Sequence, residues 1–204
     1  MYSISYKAYI SPDRDLVYLP TLKAASMFFG MTVKNLGFTD IDFVDIDWKN
    51  MRVFSHIFHP LVRRAKGISE FFNDINGLPA REIVDYVTHN QQILQVLQTP
   101  FFDEHSAPLT LLYGKHITDI EFIPIDDPTI DYINITRKLL ESHNLNPVFP
   151  KEKVNTADSD QVLLYNIIEQ HYQSAIKHSD LIGMVFQDDI ALYERIISSY
   201  HISS

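Results

Sequence analysis

Tyr2, Ile4, Tyr6, Ala8 and Ile10 alternate with Ser3, Ser5, Lys7 and Tyr9, the period of a strand with one buried face. Ser11 to Asp15, SPDRD, supplies a turn, and Leu16 to Leu19 is apolar enough for a second, short strand. The pair reads as an antiparallel hairpin with a five-residue loop, and it is expected to form the first edge of a sheet.

After the hairpin the period changes. Thr21 is a plausible N-cap, Leu22, Ala25, Phe28 and Phe29 recur at helical spacing before Gly30, and Thr32 can cap a second short helix ending near Gly37. Ser26, Gly30, Met31 and Leu36 stand where a helix-turn-helix unit needs a small residue, a turn and two apolar contacts. In Asp40 to Trp48 the alternation slips by one residue, as a strand with a bulge at Phe43 and Val44 would require. From Met51 through Phe54, Phe58, Leu61, Ala65, Ile68, Phe72 and Ile75 the spacing is helical, with a break expected at His59-Pro60.

Pro79 opens a further helix to about Gln98, and Leu109 to Tyr113 and His116 to Ile125 flank Gly114-Lys115 as a second hairpin. A helix is expected from Asp127-Pro128 to Ser142, a long loop over 144–157, a helix capped by Asp158 and Gln161, and a last helix from about Asp188 to Tyr200. The expected fold is α+β and helix-rich: a small antiparallel sheet from two hairpins packed against about six helices, in one domain over 1–204.

Composition matters for what it removes. The chain has no cysteine, which excludes disulfides, thiolate metal sites and a Cys nucleophile. The apolar runs, such as IGMVF and LTLLY, are far shorter than a membrane span, and MYSISYKAYI lacks the build of a signal peptide. A cytoplasmic protein is therefore expected. Net charge is −9, unevenly spread: residues 1–66 hold nine Lys and Arg against six Asp, and the remainder eight against twenty acids. Lys49 to Lys66 carries five cations and no acid.

These features point to a non-enzymatic regulatory or interaction protein that contacts an acidic macromolecular partner through its basic N-terminal third, with DNA or another protein, including a second copy of the chain, as candidates. Thr32, Lys34 and Asn35 would open a recognition helix, and Lys49, Arg52, Arg63, Arg64 and Lys66 would contact phosphates or acidic side chains. One alternative is a metal-dependent hydrolase or nuclease using His56, His59, Asp103 and His105, since paired His and Asp on neighbouring turns suit a hydrolytic metal. Another is an inhibitor offering the acidic surface of the later two-thirds. No cofactor is expected. RKLLESH, Arg137 to His143, is similar to the short Arg-and-His motif of HEPN-type ribonucleases, a resemblance that implies action on a phosphodiester at a helix pair.

Overall fold

The structure, a computed structural model, describes residues 7–76, 82, 84, 85, 89, 99–101, 103–151, 162–167, 170 and 180–202. Lys7–Ile10 (β1) and Leu16–Tyr18 (β2) form the expected hairpin, with Tyr9 opposite Tyr18 and Ile10 opposite Val17. Ser11 ties its turn: the hydroxyl donates to the Asp15 carboxylate and accepts from the amides of Asp15 and Leu16. The hairpin is the middle of the sheet and not its edge. Thr39–Asp42 (β3) pairs antiparallel with β1, Arg52–Ile57 (β4) runs parallel to β2, and Ile120–Pro124 (β5) runs parallel to β4. The result is one five-stranded mixed sheet in the order β3-β1-β2-β4-β5.

This overturns the expected antiparallel sheet from two hairpins. Leu109–Tyr113 is a helical turn, Gly114–Asp119 a 3-10 segment, and only Ile120–Pro124 of that stretch is a strand. The apolar run LTLLY fits a buried helical turn as well as a strand, and periodicity cannot separate them at that length. Met51 to Phe58, expected as helix, instead contains the strand Arg52–Ile57. Five consecutive residues of β4, Val53 to Ile57, are buried, so this strand shows no alternation, and its Met51, Phe54, Phe58 spacing imitates a helix. The following helix begins at Pro60, which suits a first-turn position because its missing N–H is not needed there.

Ser26–Asn35 (α1) is one continuous helix with Gly30 in its interior, so no turn divides it into a helix-turn-helix. A Cβ on Gly30 would stand 3.8 Å from the Tyr9 ring, an ordinary contact, where α1 lies on the sheet. Gly37 ends α1 as expected: at φ 85° its amide bonds to Lys34 O while Phe38 N bonds to Val33 O, a Schellman closure. The expected bulged strand stops at Asp42, and Phe43–Asp45 is a 3-10 turn.

Leu16, Tyr18, Phe54 and Ile123 form a core with Phe29 and Val33 of α1 and with Leu139 and Leu140 of Tyr132–Ser142. Each such side chain contributes roughly 1.5–3 kcal/mol by burial. The helix 132–142 starts later than expected, at the Asp131 N-cap whose carboxylate accepts from Asn134 N.

Contacts divide the chain into two compact units, Met1–Phe58 with Tyr113–Asn155 and Tyr193–Ser204, and His59–Leu112 with Thr156–Leu192. The sheet belongs to the first. In the second, Pro60–Asn76 (α2) holds the loop at 99–106: Arg63 donates to His105 O at 3.1 Å and Arg64 to Pro100 O at 2.6 Å. In chain order Leu109–Tyr113 is α3, Tyr132–Ser142 is α4 and Asp180–Ile202 is α5, the last starting eight residues before the expected Asp188. Within the second unit Asp189 of α5 accepts from Leu109 N, Thr110 N and the Thr110 hydroxyl, capping α3. Most of the helix expected over Pro79 to Gln98, the Asp158 and Gln161 cap, and the later part of the 144–157 loop lie outside the described residues.

Candidate anion site at the carboxyl ends of the parallel strands

Because β2, β4 and β5 are parallel, their carboxyl ends lie along one border of the sheet. In open α/β sheets this border is where ligands bind. Leu19 N extends the ladder to Phe54 O, and the chain then turns through Pro20 to Ala25 into α1.

Three buried hydroxyls anchor that loop from beneath. Ser55 Oγ donates to Leu19 O, so it must accept from Thr21 Oγ1 at 2.7 Å. Thr21 has then spent its proton and accepts from Tyr113 OH at 3.1 Å. The direction Tyr113 to Thr21 to Ser55 to Leu19 O is fixed by counting donors. Thr21 was expected to cap the helix; its side chain instead points into this chain of hydroxyls.

With Thr21 engaged there, α1 starts without a cap. Its N-cap position is Ala25, which offers no side-chain acceptor, and no acid stands in the first turn. The first rung of the helical ladder is Phe29 N to Ala25 O, so the amides of Ser26 and Phe28 open the helix ahead of it. Lys23 at φ 66° and Ala25 at φ 55° are both left-handed, a conformation that costs a non-glycine residue about 1 kcal/mol or more. Between them the Ala24 amide is already used, donating to Thr21 O at 3.0 Å.

Charge along this border is divided. Between Asp15 and Asp40 the sequence holds no acid; of its two lysines, Lys23 stands in the loop before α1 and Lys34 in the last turn of that helix. The loop after β5 holds Asp126, Asp127 and Asp131, each already engaged: Asp126 accepts from Tyr193 OH at 2.6 Å, Asp127 from Thr129, and Asp131 from Asn134 N. The Thr129 hydroxyl and amide hold the Asp127 carboxyl below its usual value. An anion is therefore favoured at the β2 side and disfavoured at the β5 side.

His56, next to last in β4, lies under the first turn of α1, its ring stacked on Phe29 with centroids 3.4 Å apart and planes 9° apart. Thr136 Oγ1 donates to Tyr132 O, so at 2.9 Å from His56 Nε2 it acts as acceptor. The ring is thus the Nε2–H tautomer, and Nδ1 is a buried lone pair with no hydrogen-bond partner among the described residues. Burial pushes its pKa well below the ordinary histidine value, so the ring is neutral.

The residues expected to meet an acidic macromolecule do not form one face. Lys34 and Asn35 are exposed, Lys34 lying over the Tyr9 ring at 4.8 Å, but Thr32 is buried with its hydroxyl on Phe28 O. Lys49 is exposed, Arg52 is paired with Glu121 at 2.7 Å, and Lys66 is half-buried. Arg63 and Arg64 are 0% exposed and serve the loop at 99–106 from within.

The expected metal set divides as well. Asp103, Glu104 and His105 can bring ligand atoms within 4.8 Å of one another, but Asp103 already accepts from the amides of His105 and Ser106 and pairs with His105 Nδ1 at 3.0 Å. Despite partial burial, these contacts hold the Asp103 carboxyl below its usual value. His59 Nδ1 accepts from Leu61 N, and His56 Nε2 is bound to Thr136. Of the ribonuclease-like pair, Arg137 lies over the Phe149 ring and His143 Nδ1 meets Asp15 at 2.8 Å.

The border site escaped sequence reasoning because its main contributors are backbone amides, which leave no residue signature beyond a short apolar strand, an acid-free stretch and a helix. No family model, no curated protein and no solved structure matches the chain. Among the described residues no helix is long and apolar enough to cross a membrane.

Proposed function

We propose that this chain binds a small ligand through a tetrahedral oxyanion, a phosphate or sulfate group, seated on the loop between β2 and α1. The observation that carries this reading is the uncapped, acid-free start of α1 at the carboxyl end of β2, preceded by two left-handed residues. A helix of that kind presents N–H groups and the positive end of its dipole to an anion. The reading narrows the acidic partner expected from the sequence to one anionic group. The macromolecular version has lost Thr32, Arg63 and Arg64 to the interior, leaving only scattered exposed cations to support it.

The test is a titration of the full chain, followed by amide NMR, with inorganic phosphate, inorganic sulfate, a phosphate monoester and a sulfate monoester. The four arms separate phosphate from sulfate and free ions from esters. The amides of Lys23 to Phe28 respond first. Ser26→Asp places a carboxylate where the ligand would sit. It stabilises the helix start by about 0.3–1 kcal/mol and weakens oxyanion binding about tenfold or more. Unchanged binding in that variant, or shifts confined to other residues, rejects the site.

A further inference from the structure

We infer that the outer edge of β3 docks an extended segment of a partner protein that carries basic residues at alternate positions. Register shows which groups this edge offers. Ser11 N donates to Leu16 O, so Ser11 and Tyr9 bond toward β2, and Ala8 and Ile10 bond toward β3. Their partners Ile41 and Thr39 therefore bond inward, and the backbone of Asp40 and Asp42 points away from the sheet. Asp40 N–H and C=O and Asp42 N–H have no hydrogen-bond partner among the described residues, and both residues are exposed. The opposite edge is closed. Ile125 N bonds to Ile57 O, which turns Phe122 outward, and Tyr200 of α5 donates to the Phe122 carbonyl at 3.3 Å. Pro124, the next residue of β5 to face outward, has no N–H to offer. An edge left open is a ready template for another strand.

Charge decides what can pair there. Asp40 and Asp42 stand on the face that carries Tyr9 and Lys7, since Tyr9 lies opposite Asp40 and Lys7 opposite Asp42. Lys7 reaches Asp40 only at 3.7 Å, with both side chains more than half exposed. Asp45 and Asp47, just beyond the strand, are exposed as well. A second copy of the chain does not suit this edge: two β3 strands laid antiparallel set Asp40 against Asp42, and like charges directly opposite are destabilising. The segment that fits has Lys or Arg opposite Asp40 and Asp42, with an apolar residue between them that continues the face on which Ile41 is buried. Acids on an open edge thus keep copies apart and, by the same charge, select a basic strand.

The probe is a short peptide of alternating lysine and valine, titrated into the full chain and followed by amide NMR. One control has glutamate in place of lysine. The other is the lysine peptide N-methylated at its lysine amides, which keeps the charge and cannot complete the ladder. Binding of the lysine peptide moves the Asp40 and Asp42 amides and slows their hydrogen exchange. The glutamate peptide leaves them unchanged, and N-methylation weakens binding about tenfold or more. Asp40→Asn combined with Asp42→Asn keeps the fold, because the two carboxylates make no hydrogen bond among the described residues beyond the exposed Lys7 pair. It weakens the lysine peptide about threefold to tenfold. A lysine peptide that leaves the Asp40 and Asp42 amides unmoved overturns the inference. Equal affinity of the lysine and N-methylated peptides overturns it too, since charge alone would then hold them, and so does unchanged affinity in the double variant.

Discussion

Gly67 of α2 meets the main chain of His105 so closely that no methyl group fits between them. A Cβ on Gly67 would overlap the His105 carbonyl and stand 2.7 Å from Ser106 N. Arg63, one turn earlier, donates to that same carbonyl, and Arg64 to the carbonyls of Thr99 and Pro100. Arg63 and Arg64 of the basic segment thus line the inner side of a helix gripping a loop, whereas Lys49 is exposed and Arg52 pairs with Glu121 on the sheet.

Gly67→Ala tests that grip. The obstacle is backbone, which cannot swing aside as a side chain would, so the substitution forces α2 and the loop apart. The expected loss is about 2–3 kcal/mol in urea unfolding, although alanine is the better helix former. An unchanged or higher midpoint would show that the loop yields freely.

Asp189→Asn is a second test within the same unit. The carboxylate is 1% exposed and accepts three hydrogen bonds from Leu109 and Thr110. An amide keeps one acceptor oxygen but turns an NH2 toward donors that need acceptors. A loss of about 2–4 kcal/mol follows, with faster hydrogen exchange at the amides of Leu109 and Thr110.

What the sequence disclosed, and what it hid, follows from how each segment is covered. β1 and β2 were legible because a turn with its own side-chain ties separates them, and Gly37 was legible because it sits where a left-handed residue must follow α1. β4 was hidden because Val53 to Ile57 are all buried and so lack the alternation that marks a strand. Arg63 and Arg64 were read as surface because charged residues usually are. Their burial depends on carbonyls some forty residues away in sequence, which no local pattern reports. The amides before the first rung of α1 are invisible for a simpler reason: every residue has one.

Tyr18→Phe should stabilise the protein. The Tyr18 hydroxyl is fully buried and has no hydrogen-bond partner among the described residues, so deleting it removes a desolvated group and no bond. A gain of about 1 kcal/mol at neutral pH is expected. The variant also changes the alkaline limb. Burial pushes the Tyr18 pKa well above the ordinary tyrosine value, so its contribution is fully present below about pH 10 and declines above it, as the unfolded chain ionises and the folded one does not. Unfolding free energies measured from about pH 8 to about pH 11 should fall less steeply in Tyr18→Phe than in wild type. Parallel curves would place the hydroxyl in water.

Ser55→Ala reaches the loop before α1 from below. Ser55 accepts from Thr21 and donates to Leu19 O, so its loss leaves one buried donor and one buried acceptor facing a methyl group. The cost is about 2–3 kcal/mol, the usual range for stranding buried partners. Thr21 then has two ways to recover: it can turn its proton toward Tyr113, reversing that bond, or lift the loop toward solvent. The first leaves Lys23 and Ala25 in their left-handed conformations and oxyanion affinity near that of wild type. The second releases them and weakens binding. Thr21→Val in the same background removes the remaining bond to Tyr113 and separates the two: if Thr21 has turned to Tyr113, the double variant binds more weakly than Ser55→Ala alone, and if the loop has already lifted, the two bind alike.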